Sequence, residues 1–98
     1  MEIIKKAEGS KLELAIEGRL DTTTAPALEK VVKEELGGVE ELKLDFAKLA
    51  YVSSAGLRVL LTAQKLMNKQ GSMSLRNVSA DIMEVFDITG FSDILTIE

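Results

Sequence analysis

The chain of 98 residues has no cysteine, no histidine and no tryptophan. Without cysteine there are no disulfides and no thiolate chemistry, which fits a cytosolic location. Without histidine a Ser-His-Asp triad, an imidazole general base and a His-based metal site are all excluded. Aromatic residues make up only 4% of the chain, so the core is expected to be aliphatic, with few rings to stack on nucleobases. Basic residues are outnumbered, 12 Lys and Arg against 16 Asp and Glu, and the net charge of −4 argues against a nucleic-acid partner. No apolar run approaches the ~18 residues of a membrane span. The opening Met1-Glu2-Ile3-Ile4-Lys5-Lys6 is too short and too charged for a secretory signal. These absences lead to the expectation of a cytoplasmic protein with no membrane insertion.

Phosphate-binding loops and activated nucleophiles are missing as well. Gly9-Ser10-Lys11 joins two expected strands rather than a strand and a helix, and has the wrong residue order for a P-loop. Neither Ser53 nor Ser54 is followed three residues later by lysine, so the Ser-x-x-Lys arrangement is absent. The carboxylates form no recognisable acid–base pair: Glu34-Glu35 and Glu40-Glu41 flank a diglycine as solvated ends of elements. No enzyme activity, cofactor or metal is expected.

What is present is the patterning of one small domain spanning residues 1–98. Glu2 to Lys6 and Lys11 to Glu17 read as strands around the turn Glu8-Gly9-Ser10, with Leu12, Leu14 and Ile16 alternating with polar or small residues. Gly18-Arg19-Leu20-Asp21 leads into Thr22-Thr23-Thr24-Ala25-Pro26, where oxygen-bearing side chains, Asp21 among them, cap a helix that tolerates Pro26 only in its first turn. Leu28, Val31, Val32 and Leu36 give that helix one apolar stripe, and Gly37-Gly38 ends it. A third strand starts at Leu42, Leu44 and Phe46 and runs to the junction Ser53-Ser54. A second helix covers about Ala55 to Asn68, and Met73 and Leu75 mark a fourth strand. Ser79 and Asp81 open a third helix with Ile82, Met83 and Phe86, closed by Gly90, and Asp93 to Glu98 forms a last short strand or turn. The order β-β-α-β-α-β-α predicts an α/β fold with a mixed, mostly parallel sheet of four to five strands. Its expected core includes Leu12, Leu14, Ile16, Leu42, Leu44, Leu57, Leu60 and Leu61.

The second helix is apolar around most of its circumference, leaving one polar line: Ser54, Arg58, Thr62, Lys65 and Lys69. Lys65 and Lys69 are ordinary solvent-facing residues favoured at a helix C-terminus. Arg58 lies near the positive end of the dipole, where a cation gains nothing. It is a candidate to bind a phosphate on Ser54 or a partner carboxylate. Ser54 itself is expected at the capping position of the helix, where an attached phosphate is favoured.

Tyr51-Val52-Ser53-Ser54-Ala55-Gly56-Leu57-Arg58-Val59-Leu60, with Gly18-Arg19-Leu20-Asp21 ahead of a Thr-rich helix start, resembles a STAS domain. More narrowly, it is similar to the bacterial anti-sigma factor antagonists over nearly the whole chain. The resemblance implies phosphorylation at Ser54 by a serine kinase that is itself the anti-sigma factor. The unphosphorylated protein captures that ATP-binding kinase and frees a sigma factor, and a serine phosphatase resets the cycle. Many members have aspartate immediately before the phosphorylated serine, where this chain has Ser53. Asp21, Ser53, Ser54, Gly56 and Arg58 are the expected partner-binding residues. A second reading keeps the fold and changes the role, to an unphosphorylated STAS subunit docked on the ATPase of a membrane transporter.

Overall fold

Alternating apolar residues, a Gly9-Ser10 turn and then crossover helices dictate a hairpin that grows into a parallel sheet. The computed structural model describes residues 1–98. Strands β1 (Glu2–Glu8) and β2 (Lys11–Leu20) form the antiparallel hairpin. Strand β3 (Glu41–Asp45) pairs parallel to β2, and β5 (Ser72–Arg76) parallel to β3, in the order β1-β2-β3-β5. Helices α1 (Ala25–Glu35), α2 (Ser54–Gln70) and α3 (Ala80–Thr89) connect and follow these strands. Leu12, Leu14 and Ile16 of β2 and Leu42 and Leu44 of β3 are buried with Leu28 and Val32 of α1, Leu57 and Leu60 of α2, and Ile82 and Phe86 of α3 in one core cluster. Each fully buried aliphatic side chain contributes about 1.5–3 kcal/mol of transfer free energy.

Alternate residues of the strands form a polar layer on the other face. There Arg76 pairs with Glu13 and lies 3.6 Å from an Asp45 oxygen. Asp45 Oδ1 accepts from the side-chain amide of Asn77 at 3.0 Å and from Ala47 N–H at 2.9 Å. Asn77 has a positive φ of 57°, a conformation that asparagine tolerates better than most residues. The Asn77 amide, with Ala47 N–H and the nearby Arg76 cation, holds the Asp45 carboxyl below its ordinary pKa. On the inner side of the open β1 edge, Lys5 pairs with Glu35 of α1 at 2.6 Å. Such an inward charge disfavours pairing of the edge with another strand.

Four expectations require correction. The single third strand is two: β3 stops at Asp45, the chain turns through Phe46-Ala47-Lys48, and β4 (Leu49–Val52) pairs in parallel with the last residues of β2. Consequently β2 runs to Leu20 rather than Glu17, with an irregularity between Gly18 and Arg19. Leu61 is only half-buried, because it lies at the flank of the α2 stripe formed by Leu57, Leu60, Ala63 and Met67. Finally, the cap of α2 is Ser53, not Ser54: Ser53 is extended (φ −97°, ψ 175°) and its Oγ accepts from Gly56 N–H at 3.3 Å. Ser54 is already the first residue of the helix. The tail turns through a 3-10 segment, Phe91–Asp93, and Ile97 then bridges Leu75 in parallel.

Two consequences can be measured by urea denaturation. Ser53→Ala is expected to lower stability by ~1 kcal/mol through loss of the cap, and Ser54→Ala by less than ~0.5 kcal/mol. Equal losses would place the cap elsewhere. Asp45 has a lowered folded-state pKa, so its charge stabilises the fold above its unfolded value of about 3.9 and that contribution disappears as pH falls through the lower folded value. The stability difference between wild type and Asp45→Asn is therefore expected to be present at neutral pH and to shrink as the pH falls below about 4. A difference that is constant with pH would contradict the assigned hydrogen bonds.

Candidate functional site

The candidate site lies where β2 and β4 end side by side. Leu20 pairs with Val52, and Ser53 N–H donates to the Leu20 carbonyl at 2.8 Å. This brings the Gly18–Asp21 stretch against the start of α2, at the carboxyl ends of parallel strands, where open α/β sheets place their sites. Gly56 makes the approach possible. A Cβ there would lie 2.7 Å from Leu20 Cγ and 3.0 Å from both the Leu20 carbonyl oxygen and Val52 Cγ2. Only a residue without a side chain lets the first turn of α2 lie this close to the two strands.

Asp21 organises the neighbouring helix start. Its Oδ1 accepts from Thr23 N–H at 3.0 Å, Thr23 Oγ1 at 2.7 Å, Thr24 N–H at 3.2 Å and Thr24 Oγ1 at 3.2 Å. The Thr23 hydroxyl, joined by the backbone N–H groups, holds the Asp21 carboxyl below its ordinary pKa. Thr24 makes no side-chain cap of its own, so Asp21 supplies the capping acceptor ahead of α1. The Thr24 hydroxyl also donates to the Arg19 carbonyl at 2.7 Å, tying the loop back on itself.

The two serines have separate tasks. Ser53 Oγ is engaged as the cap, whereas Ser54 is exposed and its hydroxyl is free of intramolecular hydrogen bonds. The N–H groups of Ser54 and Ala55 have no intrahelical acceptor, so this end of α2 carries the positive end of the dipole beside the Ser54 hydroxyl. Arg58 follows one turn later, exposed and outside every ion pair. Lys65 and Lys69 continue the exposed line, and Thr62 is half-buried with its hydroxyl donating to the Arg58 carbonyl at 3.1 Å. The structure thus brings Asp21, Ser53, Ser54 and Gly56 together and places Arg58 at the border of the group. No three acidic side chains are grouped as they would be to hold a metal ion.

Sequence reading put the Gly18–Asp21 loop, and Arg19 with it, on the expected docking surface, but gave the Arg19 and Tyr51 side chains no role of their own. They are register partners on β2 and β4, and the Arg19 guanidinium lies 4.3 Å from the centre of the Tyr51 ring. The signal was present in Leu49-Ala50-Tyr51-Val52, but without β4 as a separate strand nothing placed Tyr51 beside Arg19.

Comparison with known proteins follows the same geometry. A family model described as Mlab, STAS domain matches residues 4–96. The anti-sigma-B factor antagonist of Bacillus subtilis is 35% identical to the chain over 94 residues, covering 94% of this chain and 85% of the relative. The crystal structure of an anti-sigma factor antagonist from Mycobacterium paratuberculosis superposes with a TM-score of 0.87 at 18% identity, covering 98% of this chain and 83% of the other. The Bacillus cell fate determinant SpoIIAA in its phosphorylated form shares the fold with a TM-score of 0.69 at 16% identity, covering 99% and 91%. The family model over residues 4–96 and the 35% identity over 94 residues place the chain in the STAS domain family.

Proposed function

We propose that this chain is an anti-sigma factor antagonist, a non-enzymatic binding module switched by phosphorylation. It captures a kinase-type anti-sigma factor and thereby frees a sigma factor, and a serine phosphatase restores the capturing form. The observation that carries the reading is the division of labour at the start of α2: Ser53 holds the helix, and Ser54 offers an exposed hydroxyl at its positive end. The names of the relatives support it.

A phosphate on Ser54 adds about −1.5 to −2 charge and three acceptor oxygens. Beside unpaired N–H groups of a helix N-terminus this charge is favourable for the domain. Its effect therefore falls on docking, where a bulky dianion brings desolvation cost and repulsion from partner carboxylates. A penalty of ~3 kcal/mol weakens binding by more than ~100-fold without refolding. Asp21, Ser53, Ser54, Gly56 and Arg58 form the proposed contact surface.

The test uses the anti-sigma factor encoded by the same genome, with radiolabelled ATP and calorimetry. Ser54→Ala is expected to abolish labelling and keep wild-type docking, while Ser53→Ala remains a substrate. Ser54→Asp is expected to weaken docking, though less than phosphate does. Full labelling of Ser54→Ala with loss in Ser53→Ala would overturn the assignment.

A further inference from the structure

Arg19 and Tyr51 stand just around the sheet edge from Ser54. Leu20 and Val52 point into the core, so by alternation their neighbours Arg19 and Tyr51 face the other side of the sheet. Both are exposed, with 62% of the Arg19 side chain accessible and Tyr51 at 42%. The guanidinium is held on two sides. Its Cζ sits over the Tyr51 ring, 4.3 Å from the ring centre, and its Nε lies 3.6 Å from Asp21 Oδ2. Asp21 is itself fixed by its bonds to Thr23 and Thr24. The terminal Nη groups donate no hydrogen bond within the chain, in contrast to Arg76, whose Nη2 contacts Glu13 and Asp45.

Such a guanidinium is prepared for recognition. Stacking and the Nε tether restrict a side chain that otherwise has much rotamer freedom to lose, so less is lost when a partner binds. The free Nη edge presents parallel donors that match the two oxygens of a carboxylate, which a lysine cannot reproduce. Arginine and tyrosine are also residue types that dominate binding energy at protein interfaces. The charge around the site points the same way. Arg58, exposed and outside every ion pair, lies one turn from Ser54 although the whole chain is acidic at −4. A cation there suits an acidic group on the partner, to which an added phosphate dianion at Ser54 is repulsive.

Building on the proposed docking at Ser54, we infer that the docking surface turns the corner of the sheet, and that the Tyr51-stacked Arg19 is its second anchor, binding a carboxylate of the anti-sigma factor in bidentate fashion. Arg58 and Ser54 would then be gripped on one side of the edge and Arg19 on the other, with Asp21 joining the two.

The test is calorimetry of Arg19→Lys, Arg19→Ala, Tyr51→Phe, Tyr51→Ala and Ser54→Asp against the anti-sigma factor of the same genome, with thermal melts to confirm folding. Arg19→Lys is expected to lose about tenfold in affinity and Arg19→Ala more, because charged, bidentate contacts exceed single ones. Tyr51→Phe keeps the ring face and is expected to bind like wild type, while Tyr51→Ala weakens binding several-fold. In the free chain, the Arg19 δ-methylene protons are expected to be shifted upfield by the ring and to return to ordinary values in Tyr51→Ala. Wild-type affinity in Arg19→Lys would overturn the bidentate contact, and wild-type affinity in Arg19→Ala would overturn the anchor altogether. Loss in Ser54→Asp with no loss in either Arg19 variant leaves docking at Ser54 standing and removes only this inference. Loss in the Arg19 variants with none in Ser54→Asp supports the anchor and removes Ser54 from the interface. No loss in any variant removes both.

Discussion

The hydrogen bond from Ser53 N–H to the Leu20 carbonyl, 2.8 Å long, joins the end of β2 to the start of α2, and the functional geometry depends on it. It continues the parallel pairing of β2 with β4 by one residue and sets the direction in which α2 begins. Gly56 lets the first helical turn settle onto Leu20 and Val52, and the Ser53 side chain closes that turn from within. Once these three features are in place, Ser54 has one position available, at the rim of the sheet with its hydroxyl outward. Asp21, at the end of the same strand, is brought alongside by the same pairing.

This arrangement separates stability from switching. The core of Leu14, Ile16, Leu42, Leu44, Leu60, Phe86 and their neighbours lies beneath the sheet edge and does not include Ser54. Burial of that cluster supplies a favourable term that a charge at an exposed helix end does not disturb. The dipole of α2 and the unpaired N–H groups favour a negative group at Ser54, so the proposed modification is expected to leave the domain intact and to change only what it presents. Ser53 is bound to a different task, because its Oγ accepts from Gly56 N–H and closes the first turn of α2.

Much of this was legible from the residues alone. Period-two alternation in Leu12-Leu14-Ile16 and Leu42-Leu44 gave the buried faces, and Gly37-Gly38 and Gly90 marked where helices stop. The register of the serines was less legible, because Ser53 and Ser54 are both good capping residues and a one-residue shift costs nothing in pattern. The division of the third strand was hidden for a similar reason. Phe46 continues the alternation of Leu42 and Leu44, and the turn at Ala47-Lys48 contains neither glycine nor proline to announce it. It is held instead by Asp45, whose carboxylate accepts from Ala47 N–H and from Asn77, more than thirty residues away. Contacts of that kind between remote residues leave no local signature, and for the same reason the Arg19–Tyr51 stack emerges only from the paired strands.

The central claim is that a phosphate on Ser54 alters the surface and not the fold. Its most direct test is a pair of amide correlation spectra of the free chain, before and after stoichiometric phosphorylation, with a thermal melt of each. The account predicts chemical-shift changes confined to Gly18–Thr24 and the first turns of α2, with a melting temperature unchanged or slightly raised. Shifts spread through β1, β3 and β5, or a lowered melting temperature, would contradict it.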